Sequence, residues 1–249
     1  MKIFPLSEGA FSIDKTKLFI PFDMNADDLQ QRAVGSLLVE IQPFCIVTEK
    51  DILILDTGLG FSNNEGILQL HQNLMKHDIN PMDVTKVLMS HLHKDHAGGI
   101  AKKDQLLNRS FFSFPNATYY VNKNELNYAF EKGPPSYITA ELQPLLESDR
   151  IILLDDKGII DNYIYYEVTG AHSPWHMAYR IVEKEETILF GGDVAPQLQQ
   201  MKNRFVAKYD YDGKKAMELR QEWWKQGQEQ NWTFLFYHDI KTPVFSFKL

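Results

Sequence analysis

Apolar residues in this chain fall in short runs, and the period of the runs changes along the sequence. Residues 36–41, 44–48 and 52–55 are compact apolar stretches separated by Gln42-Pro43 and by the polar turn Glu49-Lys50-Asp51. Runs of this length with tight polar connections read as strands of a mixed or antiparallel sheet. From 65 to 78 the spacing switches, and Ile67, Leu68, Leu70, Leu74 and Met75 fit one face of a helix that Pro81 closes. Residues 84–89 return to a strand that ends on Ser90-His91, after which a histidine-rich loop, Gly98-Gly99 and a helix are expected. Helical stretches are predicted over 125–130 and 139–146, and strands over 151–154, 163–168, 177–182 and 187–190. A long amphipathic helix is predicted over 213–228, with Trp223 and Trp224 on it, one inward and one at its edge. A last strand, 232–237, leads into His238-Asp239. Strands in both halves with helices between them predict an α/β (α+β) fold in which two sheets form a sandwich with helices outside. No Gly/Ser tract, Pro-rich run or repeat divides the chain, so one domain over 1–249 is expected.

Composition narrows this picture without changing it. The 249 residues are 44% hydrophobic and 24% charged, ordinary for a soluble globular protein. A formal net charge of −7 argues against a nucleic-acid partner, and Lys102-Lys103 and Lys214-Lys215 read as solvated positions. The single cysteine, Cys45, excludes an internal disulfide and a Cys-rich zinc site, and its apolar run reads as core. No segment has the length and apolarity of a signal peptide or membrane span, so no membrane partner and a cytoplasmic location are expected.

The chemistry concentrates in His91-Leu92-His93-Lys94-Asp95-His96, directly after a strand. Three of the chain's eight histidines stand in these six positions beside an aspartate. Imidazole nitrogen and carboxylate oxygen suit zinc, and alternate residues leaving a strand can project toward one point. Further ligands are expected at strand ends, which hold side chains better than free loops do. His172, Asp193 and His238 each follow an apolar run, through Thr169-Gly170-Ala171, Gly191-Gly192 and directly after Tyr237.

Together these residues resemble the metallo-β-lactamase superfamily, whose signature is His-x-His-x-Asp-His followed by isolated His, Asp and His at strand ends. The similarity spans nearly the whole chain and includes the Asp56-Thr57-Gly58 turn. It implies a four-layer αβ/βα sandwich, two mixed sheets with helices on both outer faces. It also implies two Zn2+ ions: His91, His93 and His172 on one, Asp95, His96 and His238 on the other, Asp193 bridging. Iron or manganese can replace zinc at such sites.

Asp193 in place of a cysteine and Leu92 in place of a glutamate set the chain apart from secreted β-lactamases and from the oxygen-reducing branch. Only eleven residues follow His238, too few for a glyoxalase-II-type helical domain. What remains resembles the N-acyl-homoserine lactonase and methyl-parathion-hydrolase-like branch. Two departures stand out: Ser173-Pro174-Trp175-His176 replaces the usual Thr-Pro-Gly-His after the fourth ligand, and Val194-Ala195-Pro196 lacks the tyrosine that such lactonases place after the bridging aspartate. His176 is therefore read as supporting rather than ligating. The implied activity is zinc-dependent hydrolysis of a small ester or lactone by a metal-bridging hydroxide, with Asp95 as the catalytic carboxylate. Phosphodiester or phosphotriester hydrolysis is the alternative, and a non-catalytic metal-binding or sensing protein is the alternative outside enzymes. The partner expected is a small-molecule substrate. The aromatic segments 111–114 and 19–24 either line its pocket or pack as core or as a homodimer face.

Overall fold

The computed structural model describes residues 1–104 and 109–248, with side chains left out at Lys103, Asp104 and Arg109. Half of the Lys102-Lys103 pair thus lies outside the described residues. Two six-stranded sheets face each other. The first runs, in spatial order, Lys2–Pro5, Phe44–Val47, Ile52–Leu55, Lys86–Leu88, Thr118–Asn122 and Ile151–Leu154. It is antiparallel up to Ile52–Leu55 and parallel beyond. The second runs Lys157–Ile160, Ile164–Val168, Met177–Glu183, Glu186–Phe190, Thr233–Leu235 and Val244–Ser246, with only the Glu186–Phe190 and Thr233–Leu235 pair parallel.

Strand alternation sorts the apolar residues into three packed layers. Phe44, Ile46, Leu53 and Leu55 meet Ile164, Ile181, Ile188 and Phe190 between the sheets. Their neighbours Cys45 and Ile54 point the other way, onto Leu70, Leu74 and Leu126 of the helices Gln69–Met75 and Lys123–Lys132. On the far side Leu189, Phe234 and Phe236 pack on Ala216 and Trp223 of the helix Gly213–Gln230. Because period-2 alternation feeds both faces of both sheets, helices must cover each outer face, which yields the four-layer sandwich. Burial pushes the Cys45 thiol up to about 12, so it is an inert core residue. Trp223 is buried, and Trp224 lies at the helix edge against Phe245 and Phe247. Among the described residues no helix is long and apolar enough to cross a membrane.

The expected helix after Gly98-Gly99 is not there. A short helix, Lys94–Ala97, forms inside the histidine motif itself, and a hairpin of Ala101–Asp104 with Arg109–Phe112 follows. The two glycines serve close approach instead: a Cβ at Gly99 would stand 2.0 Å from the carbonyl oxygen of Thr57, and one at Gly98 would stand 2.5 Å from that of Leu59. The expected helix over 139–146 is split into Thr139–Leu142 and Pro144–Glu147, since Pro144 starts a new turn. Phe112 and Phe114 pack into the first sheet's outer layer rather than lining a cleft.

The strands Ile52–Leu55, Lys86–Leu88, Ile164–Val168, Glu186–Phe190 and Thr233–Leu235 all end at one edge of the sandwich. That edge also receives a small sheet, Phe19–Pro21, Gly9–Ile13 and Leu37–Ile41, from the N-terminal region. Glu8 joins this sheet to the turn after Ile52–Leu55: its Oε2 accepts from Leu59 N at 2.6 Å. Burial raises the Glu8 carboxyl from 4.5 to about 7. A carboxyl raised on folding favours the native state while protonated, and that advantage fades as pH climbs from 4.5 toward 7. The full shift corresponds to about 3 kcal/mol at most. Denaturant titrations at intervals from pH 4.5 to 8 should therefore show stability falling more steeply in the native protein than in Glu8→Gln. Parallel curves for the two proteins would show that Glu8 does not titrate in this range.

Candidate metal centre

All seven residues singled out from the sequence converge at that edge. His91 Nε2 lies 2.9 Å from His93 Nδ1, which lies 3.2 Å from His172 Nε2. His172 Nε2 is 3.3 Å from Asp193 Oδ2. The other oxygen of the same carboxylate, Oδ1, is 3.1 Å from His96 Nε2 and 3.0 Å from His238 Nε2. Asp95 Oδ2 completes this second group at 3.7 Å from both nitrogens. Two three-residue clusters, His91–His93–His172 and Asp95–His96–His238, each bring their donor atoms within 4.8 Å of one another. Asp193 faces both.

Local structure sets each donor. The strand Lys86–Leu88 delivers His91, and the first turn of Lys94–Ala97 rotates Asp95 and His96 to one side. His172, Asp193 and His238 leave the ends of Ile164–Val168, Glu186–Phe190 and Thr233–Leu235. Two links stitch the sheets together beside the site: Met177 N donates to Ser90 O at 2.7 Å, and Tyr179 OH donates to Met89 O at 2.9 Å.

A second set of contacts orients the rings. His238 Nδ1 stands 2.7 Å from the Glu40 carbonyl oxygen, which can only accept, so the proton sits on Nδ1 and the Nε2 lone pair faces inward. Asp210 does the same for His172 at 2.9 Å, and Asp56 for His96 at 2.7 Å. Asp56 also accepts from Ser90 N at 2.7 Å and from Ser90 Oγ at 2.6 Å, which leaves Ser90 Oγ to accept from His91 Nδ1 at 3.0 Å. Asp56 holds this position at φ 56°, a left-handed conformation uncommon outside glycine. Glu125 braces the two histidine loops, accepting from Leu92 N at 3.1 Å and Ser173 Oγ at 3.0 Å. His176 stands outside both clusters; its Nε2 accepts from Asp193 N at 3.1 Å and fixes the turn that carries the carboxylate facing both.

Charge and burial disagree in a way that a cation resolves. Burial and the neighbouring imidazoles hold His91 and His93 well below the usual histidine range, so both are neutral with free lone pairs. Burial also opposes charge on His96, yet the carboxylates of Asp193, Asp95 and Asp56 overcome it and raise that ring well above the usual value. Asp193 is itself held far below the carboxylate range, since His238, His96 and His172 outweigh its burial. His96 Nε2 and Asp193 Oδ1 are buried without a hydrogen-bond partner although they lie only 3.1 Å apart. Orphaned buried donors of this kind are rare and costly unless something fills the gap between them. The set of five imidazoles and two carboxylates fits borderline divalent cations such as zinc.

A cleft of about 360 Å³ opens over the centre, and Asp95, Asp193 and Tyr209 are among its lining residues. Phe19 also lines it, whereas 111–114 do not. Asp210, Tyr209 and the Glu40 carbonyl carry no motif of their own in the sequence. A signal for two of them is the place of Tyr209-Asp210, in the run 206–210 just before the long helix.

The profile of the metallo-beta-lactamase superfamily matches residues 40–238. The structure is similar to that of a probable metal-dependent hydrolase from Staphylococcus aureus, with 22% identity, a TM-score of 0.77, and coverage of 99% of this chain and 92% of that one. It is also similar to AidC, a dizinc quorum-quenching lactonase, with 19% identity, a TM-score of 0.69, and coverage of 97% and 88%. In sequence, 52 residues are 44% identical to the N-acyl homoserine lactonase AttM of Azorhizobium caulinodans. That match covers 21% of this chain and 16% of the relative.

Asp193→Ala should lower metal content at both clusters, and Asp193→Asn should do nearly as much harm because a neutral amide cannot offset two dications. His176→Ala should retain both metals. Elemental analysis of the three variants after zinc reconstitution checks this. Full loading in Asp193→Ala, or loss of a metal in His176→Ala, would mean the ligand set is misassigned.

Proposed function

The chain belongs to the metallo-beta-lactamase superfamily, and from that footing we propose that it is a metal-dependent hydrolase that holds two zinc ions and cleaves a small ester or lactone. The observation that carries this reading is the pair of three-donor clusters facing one carboxylate, with two buried, partnerless donor atoms 3.1 Å apart among them. Lactonases among the structural neighbours favour a carbonyl substrate.

His91, His93 and His172 would hold one ion, Asp95, His96 and His238 the other, and Asp193 both. When bound, such ions supply Lewis acidity, bringing a water's pKa toward neutrality so that hydroxide is available, and offsetting negative charge that develops on the substrate. The protein's own groups do the rest. Asp56, Asp210 and the Glu40 carbonyl keep the lone pairs of His96, His172 and His238 inward, so little reorganisation is needed during turnover. Asp95 lines the cleft and makes looser contacts than Asp193, which suits it to orient the nucleophile and accept its proton. Tyr209 brings the only tyrosine hydroxyl that lines the cleft among the described residues, so a donor to the carbonyl oxygen would come from the segment before the long helix.

Protein purified without chelator should carry up to two metals per chain, zinc above all, with iron or manganese where growth conditions supply them. Less than about a tenth of a metal per chain after zinc reconstitution would sink the assignment, since sites of this ligand class bind zinc tightly. The loaded protein should then be assayed on esters, lactones, phosphodiesters and phosphotriesters. Turnover confined to phosphoesters would favour the phosphoesterase alternative, and none at all would favour a sensing role. Asp95→Asn should lower kcat by at least about a hundredfold, the lower end of the range for loss of a general base, with loss of a ligand charge added. The parental rate with both metals present would remove Asp95 from the chemistry.

A further inference from the structure

The cleft above the metal centre is lined by two kinds of surface. Phe19, Leu37, Leu38 and Val39 are apolar, whereas Lys15, Lys17 and Lys94 bring three ammonium groups. Lys15 and Lys17 come from the turn between the strands Gly9–Ile13 and Phe19–Pro21. Asp14 builds that turn: its carboxylate accepts from Thr16 N at 2.9 Å and from the Thr16 hydroxyl at 2.5 Å, and its carbonyl accepts from Lys17 N at 3.0 Å. Lys17 sits at φ 60°. A left-handed lysine is uncommon, and here it follows from the sharp reversal that returns the chain into Phe19–Pro21.

Charge around these lysines is only partly balanced locally. Among the described residues, the lysines in ion pairs are Lys86, Lys132, Lys184, Lys214 and Lys248, all away from the cleft. The cleft's carboxylates are Asp14, Asp95 and Asp193. Asp14 is hydrogen-bonded to Thr16 and feels the charge of Lys15 beside it, the other two face the imidazoles, and none pairs with Lys17. Lys94 has company of its own, with its ammonium 5.6 Å from the Phe19 ring and Glu141 nearby. Lys17 is half-buried and close enough to His93 to oppose that ring's protonation. On a chain with net charge −7, unpaired lysines at the mouth of one cleft form a local positive field that draws anions in.

We propose that Lys17, with Lys15 beside it, receives an anionic group, carboxylate or phosphate, carried by the substrate some distance from the bond that is cleaved. The apolar stretch between that group and the scissile carbonyl lies against Phe19, Leu37 and Val39. The substrate class is thus an amphipathic acid rather than a neutral acyl compound. This rests on the hydrolase reading above.

The test compares 4-nitrophenyl hexanoate, mono-4-nitrophenyl adipate and 4-nitrophenyl 5-phosphonopentanoate on the zinc-reconstituted protein. The anionic esters should exceed the neutral one in kcat/KM by about tenfold, a preference that shrinks as added salt screens the lysines. The ratio should collapse toward one in the double variant Lys15→Gln/Lys17→Gln. Which anionic ester gains more separates carboxylate from phosphate. A binding readout runs alongside: by calorimetry, adipate should bind the loaded protein more tightly than hexanoate, and the double variant should lose that difference. Equal kcat/KM for charged and neutral esters, or a preference that survives the double substitution, overturns the proposal and leaves the hydrolase reading intact. Absence of turnover on every ester strikes the hydrolase reading instead, and the adipate-to-hexanoate comparison still decides whether the anion site exists.

Discussion

Seven side chains rich in lone pairs and negative charge share one largely buried corner of this molecule, an arrangement that is costly unless something answers their charge. His91, His93 and His172 crowd three ring nitrogens together at 2.9 and 3.2 Å, more lone pairs than their own N–H groups can serve. The corner makes sense as a place for positive charge, and much of the surrounding architecture can be understood as holding it ready. Asp56 bends into a left-handed backbone to reach Ser90 and His96, and Gly98-Gly99 let the adjoining loop come to within van der Waals distance of Thr57 and Leu59.

Contributions to the corner are divided between the two sheets. The first sheet's side supplies the compact run from His91 to His96, and the second supplies His172, Asp193 and His238. Buried Arg220 on the long helix ties two loops of the second side together, donating to the Val194 carbonyl at 2.7 Å and to that of Phe205. Val194 follows the shared carboxylate, and Phe205 begins the segment that carries Tyr209 and Asp210. The helix thus reaches the metal corner through backbone carbonyls rather than through any side chain of the ligand set.

The run His91 to His96 is legible in sequence because its donors are local: six consecutive positions and one turn of helix bring them together. His172, Asp193 and His238 are legible because each follows an apolar run, and parallel strands align such ends at one edge. The layer order follows from alternation within 44–55 and 186–190, where successive residues feed opposite faces. What could not be read depends on docking between distant segments. Asp210 meets His172 only after the long helix has packed, and Lys17 reaches the cleft only once the small N-terminal sheet has folded over the edge. The helix expected after Gly98-Gly99 fails for the same reason, since the glycines answer to the Asp56-Thr57-Gly58 turn, some forty residues away in sequence. Segment 111–114 is compatible in sequence with a pocket wall or with core, and Phe112 and Phe114 pack onto the first sheet's helical side because the hairpin ending at Phe112 leads into that layer.

Each three-donor cluster takes two members from one sheet and one from the other, so an ion in either place would be bonded to both. Such an ion would act as a rivet across the sandwich, fixing the spacing of the sheets at that edge to the tolerance of a coordination bond. Opening the layers and releasing the ion then become a single event. Resistance to unfolding would climb with the logarithm of free metal concentration above the dissociation constant, as mass action requires of a ligand held only by the closed form. In a cell, the lifetime of this chain would track the availability of metal as closely as it tracks the quality of its core.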